Sequence, residues 1–129
     1  MLNTEPVTHL RGSVARVHHV PVNAGHHAIF EQIADLRATS QYMDGGQAAR
    51  TLFKRPELSV VLVVLAQGKT LSEHHVDRPV LIQTIEGWLG VCTPDGCVEH
   101  VAGGLQLLDR AVVHDVEAIS DSAILLTIS

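Results

Sequence analysis

Residues 68–87, GKTLSEHHVDRPVLIQTIEG, place two adjacent histidines in a strand-like setting. Successive side chains of a strand leave opposite faces. Ser72, His74 and Val76 therefore point one way, and Leu71, Glu73 and His75 the other. One imidazole of the pair faces a sheet interior and its neighbour faces out. Residues 103–118, GGLQLLDRAVVHDVEA, repeat the logic. Val112, His114, Val116 and Ala118 share an apolar face, while Asp115 and Glu117 share the polar one. Two inward histidines on two strands, each opened by a glycine, predict one site inside a β-barrel. Imidazoles held there can ligate a divalent ion or polarise a bound small molecule.

Other side chains could join or compete with that pair. Gln83 can supply an oxygen, but strict alternation puts it on the face opposite Val80, and a β-bulge would be needed to reverse this. His75 reaches the interior only if its strand is irregular. Cys92 and Cys97 flank a four-residue turn and face each other across a hairpin. Such a separation suits a disulfide, yet a reducing cytosol would keep both as thiols with a packing role. His18, His19, His26 and His27 crowd a short stretch without a cysteine or a well-spaced carboxylate. Zinc sites need three or four convergent ligands, so surface or packing roles are expected of these four. His100, beside Glu99, reads as a surface residue, and Trp88 and Tyr42 as core or rim aromatics. No phosphate loop, nucleophile elbow, Ser/His/Asp constellation or matched carboxylate pair is identifiable.

The elements that must position these residues are read from composition and pattern. A chain of 129 residues is expected to form one domain. Its 46% hydrophobic and 3% aromatic content implies a core of Val, Leu and Ile, which suits sheets. The net charge is -5, without a Lys/Arg cluster along the chain, so no nucleic-acid footprint is expected. Residues 1–68 carry six basic and five acidic groups, and residues 69–129 three and nine. That asymmetry favours cations near the histidine stretches, or is simply the solvated face of a barrel. Residues 60–66, the longest apolar run, are too short to span a membrane. The N-terminal residues lack the pattern of a signal peptide, and a cytoplasmic location is the default expectation.

Taken in order, residues 1–12 look irregular, and residues 13–22 read as an edge strand because Pro21 lacks an amide donor. Such an edge is a place for a partner subunit to dock. Asn23 is a candidate helix N-cap. Ile29, Phe30, Ile33 and Leu36 then recur at helical spacing as far as Asp44-Gly45-Gly46. This predicts one helix of about four turns, whose stripe packs on the outside of the barrel or on a second subunit. From Gln47 onward the pattern is of short strands: 51–54, 59–66, the stretch around His74, 80–86, 88–92, 97–101, 105–108, 112–119 and 124–128. Thr93-Pro94-Asp95-Gly96 is a hairpin turn. Residues 60–65 are apolar at every position, so both faces of that strand need cover, from the barrel interior and from a helix or second subunit. The expected division is an arm and helix over 1–46 and a barrel over 47–129. A homodimer is expected, since two-fold pairing is the commonest way to cover such surfaces.

The two histidine stretches resemble the paired motifs of the cupin superfamily. The first family motif runs G, five residues, H-x-H, three or four residues, E, six residues, G. Gly68, His74 and Gly87 fall in register, while Val76 and Val80 occupy the second His and the Glu positions. The second motif runs G, five residues, P-x-G, two residues, H, three residues, N. Gly103 and His114 fit, with Asp109, Ala111 and Ala118 replacing the Pro, Gly and Asn. The resemblance implies an all-β, double-stranded β-helix (jelly-roll barrel) with one N-terminal helix. It implies a small-molecule ligand pocket of His74, Val76, Val80, Gln83 and His114. It also implies a divalent zinc, iron, manganese or nickel ion on His74 and His114, completed by water, His75 or Gln83. Three functions follow as expectations: a ligand-binding module with at most a two-histidine metal site, a metal-dependent enzyme of the dioxygenase or isomerase type, or a non-catalytic regulatory or scaffold dimer.

Overall fold

The structure, a computed structural model, describes residues 25–73 and 77–129. The readings made above for residues 1–24, including His18, His19 and the Asn23 cap, lie outside the described residues, as do His74, His75 and Val76. Among the described residues two short helices, α1 (Ile29–Arg37) and α2 (Ser40–Gly45), precede a run of strands. These are β1 (Gln47–Arg55), β2 (Leu58–Leu65), β3 (Thr70–Glu73), β4 (Val80–Glu86), β5 (Trp88–Thr93), β6 (Gly96–Val101), β7 (Leu105–Leu108), β8 (His114–Ala118) and β9 (Ser122–Ile128). They form a five-stranded sheet in the order β1-β2-β9-β4-β7 and a four-stranded sheet in the order β3-β8-β5-β6. Every pairing described is antiparallel. The two sheets face each other as the walls of a jelly-roll barrel.

Alternation assigns the faces. On β4, Val80, Ile82 and Thr84 are buried and Gln83 is exposed. On β8, His114, Val116 and Ala118 are buried between exposed Asp115 and Glu117. Both patterns are those expected from period-two reading. Inward residues of the two sheets, among them Val63, Leu65, Ile82, Leu89, Val91 and Ile124, merge into one apolar core.

Strand β2 departs from alternation because it is covered twice. Val63 and Leu65 belong to the interior core, whereas Leu62 and Val64 pack outside it with Ala48, Leu52, Ile33 and Leu36. The outer cover is therefore the helical segment of the same chain. Burying a side chain such as Leu62 fully contributes about 1.5–3 kcal/mol, so this seam anchors the helices to the barrel.

Periodicity predicts one helix here, but the chain breaks it at Ala38–Thr39. Thr39 is extended, with φ -75° and ψ 150°, and its hydroxyl accepts from Tyr42 N–H at 3.3 Å. The same hydroxyl donates to the Leu36 carbonyl at 2.6 Å. A threonine that caps a new helix so well competes with continuing the old one. Phe30 is also corrected. It is 67% exposed rather than part of the packed stripe, which Ile29, Ile33 and Leu36 form without it.

Between β4 and β5 the chain turns at Gly87, whose φ of 93° is the left-handed region that favours glycine. A Cβ there would also collide with the Asp121 carbonyl and Ser122. Ser122 Oγ accepts from Trp88 N–H at 3.1 Å and donates to the Ser120 carbonyl at 2.8 Å, so the glycine lets two strand ends be stitched together.

The helix–β2 seam yields a contrast. Ile33→Ala is expected to lower unfolding free energy by about 2–4 kcal/mol. Phe30→Ala is expected to change it by less than about 0.5 kcal/mol. Urea denaturation monitored by circular dichroism measures both.

Candidate functional site

His114 opens β8 and is 4% exposed. Its Nδ1 lies 3.0 Å from the Val112 carbonyl, which can only accept, so Nδ1 carries the proton and donates. Nε2 then keeps its lone pair. A carbonyl behind one ring nitrogen fixes the tautomer and the ring orientation, as it does for imidazoles that ligate or polarise.

Topology places this imidazole at one end of the barrel. Glu73, the last residue of β3, pairs with His114. Val80 opens β4 and pairs with Leu108, the last residue of β7, and with Ile128. Ser59 pairs with Ile128 and with Lys54, so Leu108, Val80, Ile128, Ser59 and Lys54 form a row across the five-stranded sheet at this same end. A cleft of about 320 Å³ opens here, lined by Lys54, Arg55, Pro56, Ser59 and Arg78.

The described residues do not make a complete metal site. No group of three or more His, Cys, Asp or Glu is close enough to hold an ion among them. Val80, 4% exposed, offers only hydrocarbon atoms, which cannot donate to a metal. Gln83 does not join the site. Pairing runs without a shift from Val80 to Thr84, and the irregularity of this strand falls later, between Thr84 and Glu86. The bulge needed to turn Gln83 inward is therefore absent from residues 80–84, and its side chain is exposed.

Sequence reasoning missed His100. It is 5% exposed, not a surface residue. Its Nε2 donates to Gln106 Oε1 at 2.6 Å. Its Nδ1, like Thr84 Oγ1, is buried without a partner among the described residues. Gly104 lies against the ring, and a Cβ there would stand 2.7 Å from Nδ1. Thr84 N–H donates to the Gly104 carbonyl at 2.9 Å and Gly103 N–H to the Thr84 carbonyl at 2.8 Å, fastening the β6–β7 turn to β4. Residues 97–101 show no clean alternation, but the hairpin register was available. Pairing Cys92 with Cys97 sets Leu89 opposite His100, and Leu89 is core.

Cys92 and Cys97 are joined as a disulfide across the hairpin, with Cα atoms 4.0 Å apart, correcting the expectation of thiols. That expectation rested on the compartment, whereas their directly opposed register brings the sulfurs together. His27 packs rather than ligates: Nε2 donates to the Leu52 carbonyl at 3.0 Å, and the ring meets Phe53 edge-on at 5.0 Å. His26 is exposed. Trp88 sits on the rim, 42% exposed, with Nε1 donating to Glu99 at 3.1 Å.

Gly104→Ala is expected to displace the His100 ring and destabilise the protein by about 1–3 kcal/mol. Denaturant titration, with the His100 imidazole signals followed by NMR, checks it; an unchanged midpoint and unmoved signals would contradict the packing described.

No protein-family model matches the sequence, and no curated protein does. Solved structures match the fold. An RmlC-like cupin from Shewanella frigidimarina NCIMB 400 has a TM-score of 0.62 at 20% identity, over 66% of this chain and 77% of that one. A cupin superfamily protein from Desulfitobacterium hafniense DCB-2 has a TM-score of 0.63 at 14% identity, over 65% and 77%. A protein of unknown function from Rhizobium leguminosarum bv. viciae 3841 has a TM-score of 0.65 at 14% identity, over 83% and 97%. Likeness at this level of identity speaks for the fold.

Proposed function

We propose that this chain, which has the cupin fold, is a small-molecule-binding module whose ligand sits at the barrel end marked by His114. The observation that carries the reading is the His114 imidazole. It is buried, fixed through Nδ1, and leaves Nε2 as an acceptor at the end of the barrel where the cleft opens. Apolar walls with a few fixed polar groups are the usual makeup of small-molecule sites. The test is ligand-observed NMR of a fragment collection against the wild type and His114→Leu. Binding fragments are expected to weaken at least tenfold in the variant. Hits that ignore the substitution would remove His114 from the site.

A metal-dependent enzyme of the dioxygenase or isomerase type is the less supported reading, because Val76 and Val80 replace two donors that the family motif would supply. A divalent ion at this end would rest on His74 and His114, with water or His75 completing it. Two imidazoles make a weak, exchangeable site.

Self-association has its own support. The helices cover the outer face of β2, so a partner is not needed there. Val101, Leu105 and Leu107, on the edge strands β6 and β7, are instead 63%, 62% and 59% exposed. A homodimer with its seam on these edges would remove that surface from water. Sedimentation equilibrium is expected to give twice the 13.9 kDa monomer mass, and Leu107→Asp to return the monomer. A monomeric wild type at micromolar concentration would end this proposal.

A further inference from the structure

The cleft at the His114 end is basic in an acidic protein. Lys54 and Ser59 are paired across the β1–β2 hairpin, Arg55 follows Lys54, and Arg78 lies just before β4. All four line the same cleft. The two arginines are held by main-chain oxygens. Arg78 Nε donates to the Ser129 oxygen at 2.6 Å and Nη2 to the Pro56 carbonyl at 2.9 Å. Arg55 Nη1 donates to the Lys54 carbonyl at 2.9 Å. The ion pairs among the described residues, Arg37–Glu86 and Arg50–Asp35, lie elsewhere.

Cationic side chains gathered in one concavity, Lys54 and Arg55 foremost, focus a positive potential into it. The Lys54 carbonyl orients the Arg55 guanidinium without neutralising it, and a guanidinium presents its remaining N–H groups in a fork that suits an oxyanion. Ser59, 8% exposed, adds a hydroxyl at the cleft wall. The overall charge of -5 gives no hint of this, because it sums over the chain and not over the cleft.

We infer that this cleft is an oxyanion site, taking the carboxylate or phosphate group of a small ligand on Lys54, Arg55 and Arg78 with Ser59 beside them. The inference deepens the ligand-binding reading by naming the charge of the ligand, and it rests on that reading for the site's role. The cleft volume of about 320 Å³ suits a small organic anion.

Calorimetric titration of the full chain with inorganic phosphate, and separately with succinate, at constant ionic strength tests it. Saturable one-to-one binding is expected with at least one probe, and the tighter of the two identifies the oxyanion. The double variant Lys54→Gln, Arg55→Gln should weaken it at least tenfold, with circular dichroism confirming the fold. Lys69→Gln with Arg110→Gln, two cations outside the cleft, should leave it unchanged. Because Arg78 also ties Pro56 to Ser129, Arg78→Gln is the secondary variant. Absent saturation with both probes, or equal loss in the two double variants, would overturn the oxyanion site. If fragment binding still depended on His114 in that case, the ligand-binding reading would stand without its anionic class. If an anion bound here while no fragment depended on His114, the interior reading would fall instead.

Discussion

Strand β2 is the element on which the rest of the structure depends. Its inward residues Val63 and Leu65 fill the barrel, while Leu62 and Val64 fasten α1 to the outer wall. A strand covered on both faces cannot slip by one residue without exchanging its core and helix contacts, so its register is strongly specified. β1 on one side and β9 on the other inherit that register. Through β9 it passes to β4, and so to the row of Ser59, Ile128, Val80 and Leu108 that lies along one end of the barrel.

That end is where chemistry is concentrated. The four-stranded sheet contributes His114, oriented by the Val112 carbonyl. The five-stranded sheet contributes hydrocarbon at Val80 and a polar, cationic margin at Ser59 and Lys54, with Arg78 beside it in the segment before β4. In the ligand-binding reading proposed above, one lone-pair nitrogen, an apolar wall and a positive rim would select a ligand by shape and charge. The second polar cluster, His100 with Gln106 beneath Gly104, sits two strands across from His114 in the four-stranded sheet's order and fastens the β6–β7 turn.

Much of the fold was legible because it is written locally. The unbroken apolar run of residues 60–65 announces a doubly covered strand, and the alternation of residues 112–118 is enough to turn His114 inward. The helix break was not legible, because the periodicity of Ile29, Ile33 and Leu36 competes with the capping strength of Thr39, and only packing decides between them. His100 was hidden by an edge strand that does not alternate. The basic cleft was hidden for a different reason. Arg55 and Arg78 are far apart in sequence and meet only because the β1–β2 turn and the segment before β4 reach the same barrel end. A charge count along the chain cannot show such a grouping, because it sums over residues that the fold keeps apart.

The central claim is that the barrel end around His114 binds its ligand by hydrogen bonding, charge and apolar contact, without a full set of metal donors. Zinc competition against a chelator of micromolar affinity, on protein purified without a histidine tag, tests this directly. The chelator is predicted to strip any zinc completely, leaving the fold intact. Retention of one equivalent of zinc, lost on His114→Ala, would show a complete metal site and contradict the account.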